Sequence, residues 1–227
     1  MKNYFAMTVI LLFFVNLASA NTTSWPLPDW ETSSKSSERT QTRQCQKFIN
    51  FATKSHQLKT DGLLVIKDGL IQYEFYDSKN NLNIAHPLWS ISKTITATLL
   101  GIASADGRIS LEQKLELFYP RSDENERYKE IMIKNLLYLD TGFVWDEGSL
   151  DASINSLVKM LYGQGHKDMA KFAATRNIIK EGPSYKWNYS TGGPTITMGI
   201  LKKIYGDEYN SMPWRNLFNP LNMRNIV

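Results

Sequence analysis

The chain contains few of the residues on which many protein functions depend. Its 227 residues include a single cysteine, Cys45, so no intramolecular disulfide can form, and three histidines, His56, His86 and His166. These residues form no metal-ligand motif, and no glycine-rich phosphate loop is present, so the sequence implies no metal and no other cofactor. The net charge of +4 comes without a block of lysines or arginines, which argues against nucleic acid as a partner.

The sequence also lacks an apolar run long enough to span a bilayer comfortably. Residues 5–17 are apolar, follow the positive charge of Lys2, and end in the small-residue pattern Leu17-Ala18-Ser19-Ala20. This pattern predicts a cleaved signal peptide over residues 1–20, with an uncleaved anchor as the alternative. We therefore expect a periplasmic or secreted protein with no stable membrane span after cleavage.

The remaining chain divides into a polar tether over residues 21–44 and one domain over residues 45–227. The tether is rich in serine, threonine and charge, which favours a loosely packed segment. For the domain, the periodicity predicts a β-hairpin over residues 62–77. Helices are predicted over residues 43–56, 90–105, 111–117, 130–139, 151–162 and 168–176.

The most informative motif present is Ser90-Ile91-Ser92-Lys93, at the start of an apolar helix. A lysine three residues after a serine lies on the same helix face, within side-chain reach. Lys93, predicted to be buried, can take the proton of Ser90 or stabilise its alkoxide, and the helix dipole favours the same negative charge. Ser90 is therefore a candidate nucleophile, with an ordinary N-cap as the alternative.

The same spacing occurs a second time, in Ser156-Leu157-Val158-Lys159. Here Ser156 is predicted to lie inside a helix between polar residues, with Lys159 on a solvated face. The context therefore favours the first copy as the catalytic one.

A second candidate element is Tyr189-Ser190-Thr191-Gly192, which follows a Gly-Pro turn and precedes another apolar run. A tyrosine near a lysine can have a lowered pKa and can carry a proton between groups. The alternative is a buried aromatic residue whose hydroxyl is satisfied by a hydrogen bond.

Taken in order, these motifs resemble the serine β-lactamase and penicillin-binding protein family, in particular its class C-like branch. That branch includes D-alanyl-D-alanine carboxypeptidases, esterases and 6-aminohexanoate-dimer hydrolases. The resemblance begins near Gly62 and runs to the end of the chain. Further matching segments are LLVIKDGLIQYEFY at 63–76, with its turn at Asp68-Gly69, IKNLLYLDTGF at 133–143 and LFNPLNM at 217–223.

The resemblance implies a mixed α/β sandwich with a helical subdomain, and a serine hydrolase that acts on a small-molecule amide or ester. It makes Ser90 the acylated nucleophile, Lys93 its activator, and Tyr189 the general base and acid. Trp145 borders the substrate cleft and is a candidate for stacking on substrate, with partial burial as the alternative. Thr191 stands where class C β-lactamases have asparagine, which favours the esterase and amidase relatives.

The sequence departs from the family at several points. Asn135 and Asp140 replace residues that are more often histidine and threonine. The family's third motif, Lys-Thr-Gly or His-x-Gly, is not found between Thr191 and Val227, so the later sheet strands are expected to be missing. The alternative function is therefore a catalytically impaired fragment, or a non-catalytic module that binds acyl groups or peptidoglycan peptides.

One further motif, Asp140-Thr141-Gly142, matches that of the aspartic proteases. That chemistry needs two carboxylates that share a proton, and no second copy is present. The flanking residues instead predict a helix end with Gly142 as its C-cap.

Overall fold

The structure, a computed structural model, describes residues 29–33, 42–55, 59–77, 84–122 and 125–226. The chain divides into two units, Met1–Ile84 and Ala85–Val227. The predicted signal peptide over residues 1–20 lies outside the described residues. In the part of the chain that the structure describes, no helix is both long enough and apolar enough to cross a membrane.

The first unit contains a β-hairpin and one helix, α1 (Arg43–Lys54). Strands β1 (Gly62–Lys67) and β2 (Leu70–Tyr76) pair in antiparallel orientation, as the sequence predicts. Asp68 and Gly69, which join them, have φ values of 55° and 78°. A two-residue type I′ turn requires positive φ at both positions, which explains why an Asp-Gly pair is found here.

Part of the predicted tether over residues 21–44 is paired with the hairpin. The Ser33 N–H donates to the Ile71 carbonyl, and the Ile71 N–H donates to the Glu31 carbonyl, each at 2.9 Å. Ser33 is buried by this pairing. The prediction of a loose tether is therefore wrong for residues 31–33, because the edge of β2 offers backbone groups that an extended segment can satisfy.

Among the described residues, the named elements of the second unit are all helices or helical turns. In chain order the helices are α2 (Ser92–Ala105), α3 (Glu126–Glu130), α4 (Ile133–Tyr138), α5 (Ser156–Tyr162), α6 (Met169–Ala174) and α7 (Gly192–Tyr205). Short 3₁₀ turns occur at Trp89–Ile91, Leu115–Leu117 and Gly206–Glu208, and a π-helical turn occurs at Trp214–Phe218.

The core of the second unit is organised around α7, which packs against α2, α4 and α6. Ile196 and Ile200 lie one turn apart on α7 and are fully buried, as are Leu99 and Leu100 of α2. Each such side chain contributes about 1.5–3 kcal/mol by leaving water. The packing fixes the N-terminal ends of α2 and α7 relative to each other, and both predicted catalytic motifs lie at those ends.

Two predicted helices are shorter than their sequence patterns indicate. Residues 111–117 form only a 3₁₀ turn, because the Leu115 N–H donates to the Ile131 carbonyl at 2.9 Å instead of to its own helix. The helix predicted over residues 151–162 begins only after Asn155, whose side chain accepts the Val158 N–H and so caps α5.

The predicted helix over residues 130–139 is divided into α3 and α4, because Ile131 and the next residue are extended. Its end is also different from the prediction. Leu139, with a φ of 56°, is the left-handed cap, so the assignment of Gly142 as the C-cap is wrong. Gly142 has a φ of 76° and lies against Gly182, where an added Cβ would come within 2.6 Å of a carbonyl oxygen.

Candidate active site

Tyr189, which lies 99 residues from Ser90 in sequence, meets Ser90 and Lys93 at one point in the second unit. The Lys93 ammonium donates to Ser90 Oγ at 3.0 Å, and the Tyr189 hydroxyl donates to the same oxygen at 2.7 Å. Lys93 Nζ lies 4.9 Å from the centroid of the Tyr189 ring. The Ser90 oxygen is therefore contacted by two groups that can accept its proton or stabilise its alkoxide.

The backbone around Ser90 is a tight turn that leads into α2. Ser90 lies within the 3₁₀ turn Trp89–Ile91, and its hydroxyl caps neither that turn nor α2. Trp89 has a φ of 46°, which is a costly conformation for a residue with a large side chain. The hydroxyl of Ser92 donates to the Trp89 carbonyl and supports this turn. Backbone strain of this kind is concentrated at functional sites.

Lys93 is half-buried on the first turn of α2, which corrects the prediction that it is buried among apolar residues. Its neighbours include Thr96 as well as the Ser90 and Tyr189 hydroxyls. Leu99 and Leu100, one to two turns further along α2, enter the core, whereas Lys93 lies on the first turn, beside the cavity.

The neighbours of Tyr189 change the pKa of its phenol. Hydrogen bonding with Ser90, followed by hydrogen bonding with Lys93, lowers the pKa of the Tyr189 phenol below its ordinary value. The positive charge of Lys93 acts in the same direction, while desolvation and the negative charge of Glu147 oppose it. A tyrosine with a lowered pKa is a better proton acceptor at a given pH because more of it is ionised.

Glu147, which was not among the residues predicted from the sequence, joins the two loops of the site. Its Oε2 accepts the Trp145 indole N–H at 2.7 Å and the Thr191 backbone N–H at 2.9 Å. Its Oε1 accepts the Thr191 hydroxyl at 3.1 Å. Because 44 residues separate Glu147 from Thr191, no local pattern in the sequence signals this contact.

Trp145 and Thr191 were both predicted to bind substrate, and the structure gives them different positions. Trp145 is only 7% exposed, and an added Cβ at Gly192 would lie 2.6 Å from its ring. The ring therefore packs beneath the start of α7 and presents no open face for stacking, which corresponds to the alternative of a buried tryptophan. Thr191 is half-buried and lines the cavity beside Ser90.

The cavity beside Ser90 has a volume of about 350 Å³, within the range of small-molecule sites. Its lining includes the polar residues Ser90, Lys93, Glu147 and Thr191. The apolar residues of the lining include Leu157, Leu161, Pro194 and Met198. The nucleophile therefore borders a space that has both apolar side chains and polar groups able to orient a substrate.

The second Ser-x-x-Lys copy has a structural role. Ser156 is the first residue of α5, where it is buried and its Oγ accepts the Asp146 N–H at 3.1 Å. Among the residues that the structure describes, no hydrogen bond joins Lys159 to Ser156. This serine therefore holds the loop after Trp145 in place.

Asn135 and Asp140 hold the segment that leads to Tyr189. The buried Asn135 amide donates to Asp140 Oδ1 at 2.8 Å and to Ser184 Oγ at 2.9 Å. Asp140 thus belongs to a hydrogen-bonded support and does not form a pair of carboxylates. Within the described ranges, no three His, Cys, Asp or Glu side chains converge as a metal site.

The chain is similar to known proteins over most of its length. The family model described as beta-lactamase matches residues 45–227. Among solved structures, a protein described as a 6-aminohexanoate-dimer hydrolase from Bacillus anthracis is similar, with a TM-score of 0.54 and 17% identity. That alignment covers 71% of this chain and 42% of the other. FmtA from Staphylococcus aureus is also similar, with a TM-score of 0.59 and 16% identity over 86% of this chain and 52% of the other.

At these identities the structural likeness shows the fold, which is the mixed α/β fold of the matched structures. The chain spans about half the length of each of these two proteins, or less. No significant match is found among curated proteins.

Proposed function

This chain belongs to the beta-lactamase family, and we propose that it is a serine hydrolase that forms an acyl-enzyme on Ser90. One observation carries the proposal: Lys93 Nζ and the Tyr189 hydroxyl both lie within hydrogen-bond distance of Ser90 Oγ. Nucleophilic catalysis needs this contact between a serine and its activating groups.

In the acylation step, the Tyr189 phenolate takes the proton from Ser90 Oγ as that oxygen attacks the carbonyl carbon of the substrate. Lys93 keeps its hydrogen bond to Oγ and stabilises the negative charge that develops there. The N–H of Ser90 itself lies in the first turn of a helix, where backbone donors lack intrahelical acceptors, and we assign it as one oxyanion donor.

The proton held by Tyr189 then passes to the leaving amine or alcohol, and the bond between the carbonyl carbon and that group breaks. The product is an ester of the acyl group with Ser90. In the second half of the reaction, Tyr189 accepts a proton from water as the water attacks this ester, and returns it to Ser90 Oγ. Atoms and protons balance over the cycle, and no cofactor takes part.

The shape of the cavity supports a small amide or ester substrate whose acyl group is apolar. Leu157, Leu161 and Met198 form a wall beside Ser90 with no polar groups to satisfy a charged acyl chain. From the predicted signal peptide, we further propose that the protein acts in the periplasm or outside the cell. Fractionation of cells that express a tagged chain tests this compartment.

A second candidate function is a non-catalytic module that binds acyl groups or peptidoglycan peptides. One observation favours it: the only sheet among the described residues is the two-stranded hairpin. A site with a single oxyanion donor would be slow, because loss of one such donor typically costs about 10²–10³-fold in rate.

Hydrolysis of a series of 4-nitrophenyl esters with acyl chains of increasing length discriminates between these functions. We expect turnover that rises with chain length until the cavity is filled and that is abolished in Ser90→Ala. Saturable binding of muropeptides that survives Ser90→Ala, with no ester turnover by the wild-type chain, would support the binding module instead.

A further inference from the structure

A second and larger cavity, of about 700 Å³, lies elsewhere in the Ala85–Val227 unit. Residues 118–120 form one side, and residues of α6 and α7 contribute to the other sides. None of the residues that line the cavity beside Ser90 lines this one. It is therefore a separate site with its own chemistry.

The lining of this cavity is strongly cationic. Four lysines line it, and the one acidic residue in the described lining is Asp168. The Asp168 carboxylate is already engaged, because it accepts the Lys171 N–H at 2.9 Å and so caps α6. The four lysines are Lys167, Lys171, Lys202 and Lys203. In the part of the chain that the structure describes, none of them forms an ion pair.

One of these lysines is held in a defined position. Lys203 Nζ donates to the Phe118 carbonyl at 2.6 Å and lies 4.2 Å from the centroid of the Tyr119 ring. The contact with the ring face is a cation–π interaction, which fixes the ammonium group beside the cavity. The positive charge of Lys203 is therefore held at a defined position beside the cavity before any ligand binds.

Tyr119 supplies an unusual donor in the same cavity. Its side chain is only 8% exposed, and its hydroxyl has no hydrogen-bond partner among the described residues. Burial is the main cause that raises the pKa of this phenol to about 12, so the group stays protonated and keeps a hydrogen that it can donate. The hydroxyl is not one of the buried polar atoms without a partner, so it reaches solvent at the cavity that Tyr119 lines and can donate to a ligand oxygen there.

We propose that this cavity binds a small phosphorylated ligand that carries two or more negative charges. Lysine is a common point-charge partner of phosphate, and phosphoryl oxygens can accept from several ammonium groups and a phenol at the same time. The volume is that of a small-molecule pocket, and its concave shape fits a compact ligand better than a flat membrane surface.

Titration calorimetry of the purified chain with inorganic diphosphate tests this proposal. We expect one molecule to bind per chain, more tightly than inorganic phosphate, with an affinity that falls as salt is raised. The variant Lys171→Gln/Lys202→Gln is expected to weaken binding at least roughly tenfold, because two positive charges that strengthen the hydrogen bonds to the anion are lost. Lys180→Gln, an exposed lysine outside the cavity, is the matched control and is expected to bind like the wild type.

A second variant, Tyr119→Phe, removes only the hydroxyl that lacks a partner, so it is expected to fold normally and to weaken binding by roughly threefold to tenfold. Circular dichroism of each variant checks the fold. The proposal would be overturned if the wild-type chain did not bind diphosphate. It would also be overturned if the cavity variants bound as well as Lys180→Gln, or if only vesicles containing phosphatidylglycerol bound.

Discussion

Replacing Tyr189 by phenylalanine removes one oxygen atom and leaves the ring in place. That oxygen lies 2.7 Å from Ser90 Oγ, whereas the contacts of the ring with Trp187 and the Lys93 ammonium do not depend on it. A positioned general acid–base typically contributes about 10²–10⁴-fold in rate. At about 1.36 kcal/mol per factor of ten, this is roughly 3–5 kcal/mol of transition-state stabilisation. We therefore expect Tyr189→Phe to slow acylation of Ser90 by about two to four orders of magnitude.

The assay is the release of chromophore from an activated ester in the first turnover, which reports acylation separately from later steps. Tyr185→Phe is the matched control, because Tyr185 is an exposed tyrosine of the same segment and lines no part of the Ser90 cavity. The reasoning would be refuted if Tyr189→Phe acylated at the wild-type rate, or if both variants lost the same amount of activity.

The same assay, repeated over a range of pH, tests the ionisation of Tyr189. Because hydrogen bonding with Ser90 and Lys93 lowers the pKa of Tyr189, the rate is expected to rise with pH and level off below the pH at which an ordinary tyrosine ionises. Lys93→Ala removes a hydrogen bond and a positive charge that both lower this pKa, so the rise is expected to move to higher pH and the rate to fall. Lys159→Ala is the control, and a matching shift in that variant would contradict the assignment.

The other predictions concern the residues that support the site. Glu147→Gln replaces one carboxylate oxygen by an NH₂ group, so one of the donors that Glu147 now satisfies loses its acceptor. The free energy of unfolding is expected to fall by about 1–3 kcal/mol, which is measured as a lower melting temperature. The same variant removes a negative charge that raises the pKa of Tyr189, so the pH–rate profile is expected to move to lower pH, and a shift to higher pH would be evidence against this contact. Gly192→Ala places a methyl group 2.6 Å from the Trp145 ring and is expected to cost about 1–3 kcal/mol of unfolding free energy, measured by denaturant titration. If the free energy of unfolding of Gly192→Ala equalled that of the wild type, the Trp145 ring would have to move away from the added methyl group, and the prediction would be wrong.

The sequence was sufficient to predict the features that depend on local patterns. The turn at Asp68 and Gly69 follows from the need for positive φ at two adjacent positions, and the structure has both. The helix after Ser90 follows from its apolar periodicity and is found over Ser92–Ala105. Ser90 and Lys93 lie close together because they are neighbours on one helix face, so their contact could also be predicted.

The features that could not be predicted depend on contacts between distant segments. Residues 111–117 have helical periodicity, yet the Leu115 N–H pairs with the Ile131 carbonyl, so a tertiary hydrogen bond replaces the helix. Glu147 acquires its role only when the loop after Trp145 reaches Thr191. The sequence pattern of Lys93 also did not reveal its partial exposure, because that depends on which distant segments pack around the first turn of α2.

Intact-mass analysis of the purified chain after exposure to a fluorophosphonate probe tests the central claim most directly. The proposal predicts one adduct per folded chain, mapped by peptide analysis to Ser90, lost in Ser90→Ala and retained in Ser156→Ala. Retention is expected because the buried Ser156 hydroxyl serves the loop at Asp146. A chain that is folded by circular dichroism but gains no adduct, or an adduct that maps to Ser156, would contradict the assignment of Ser90 as the nucleophile.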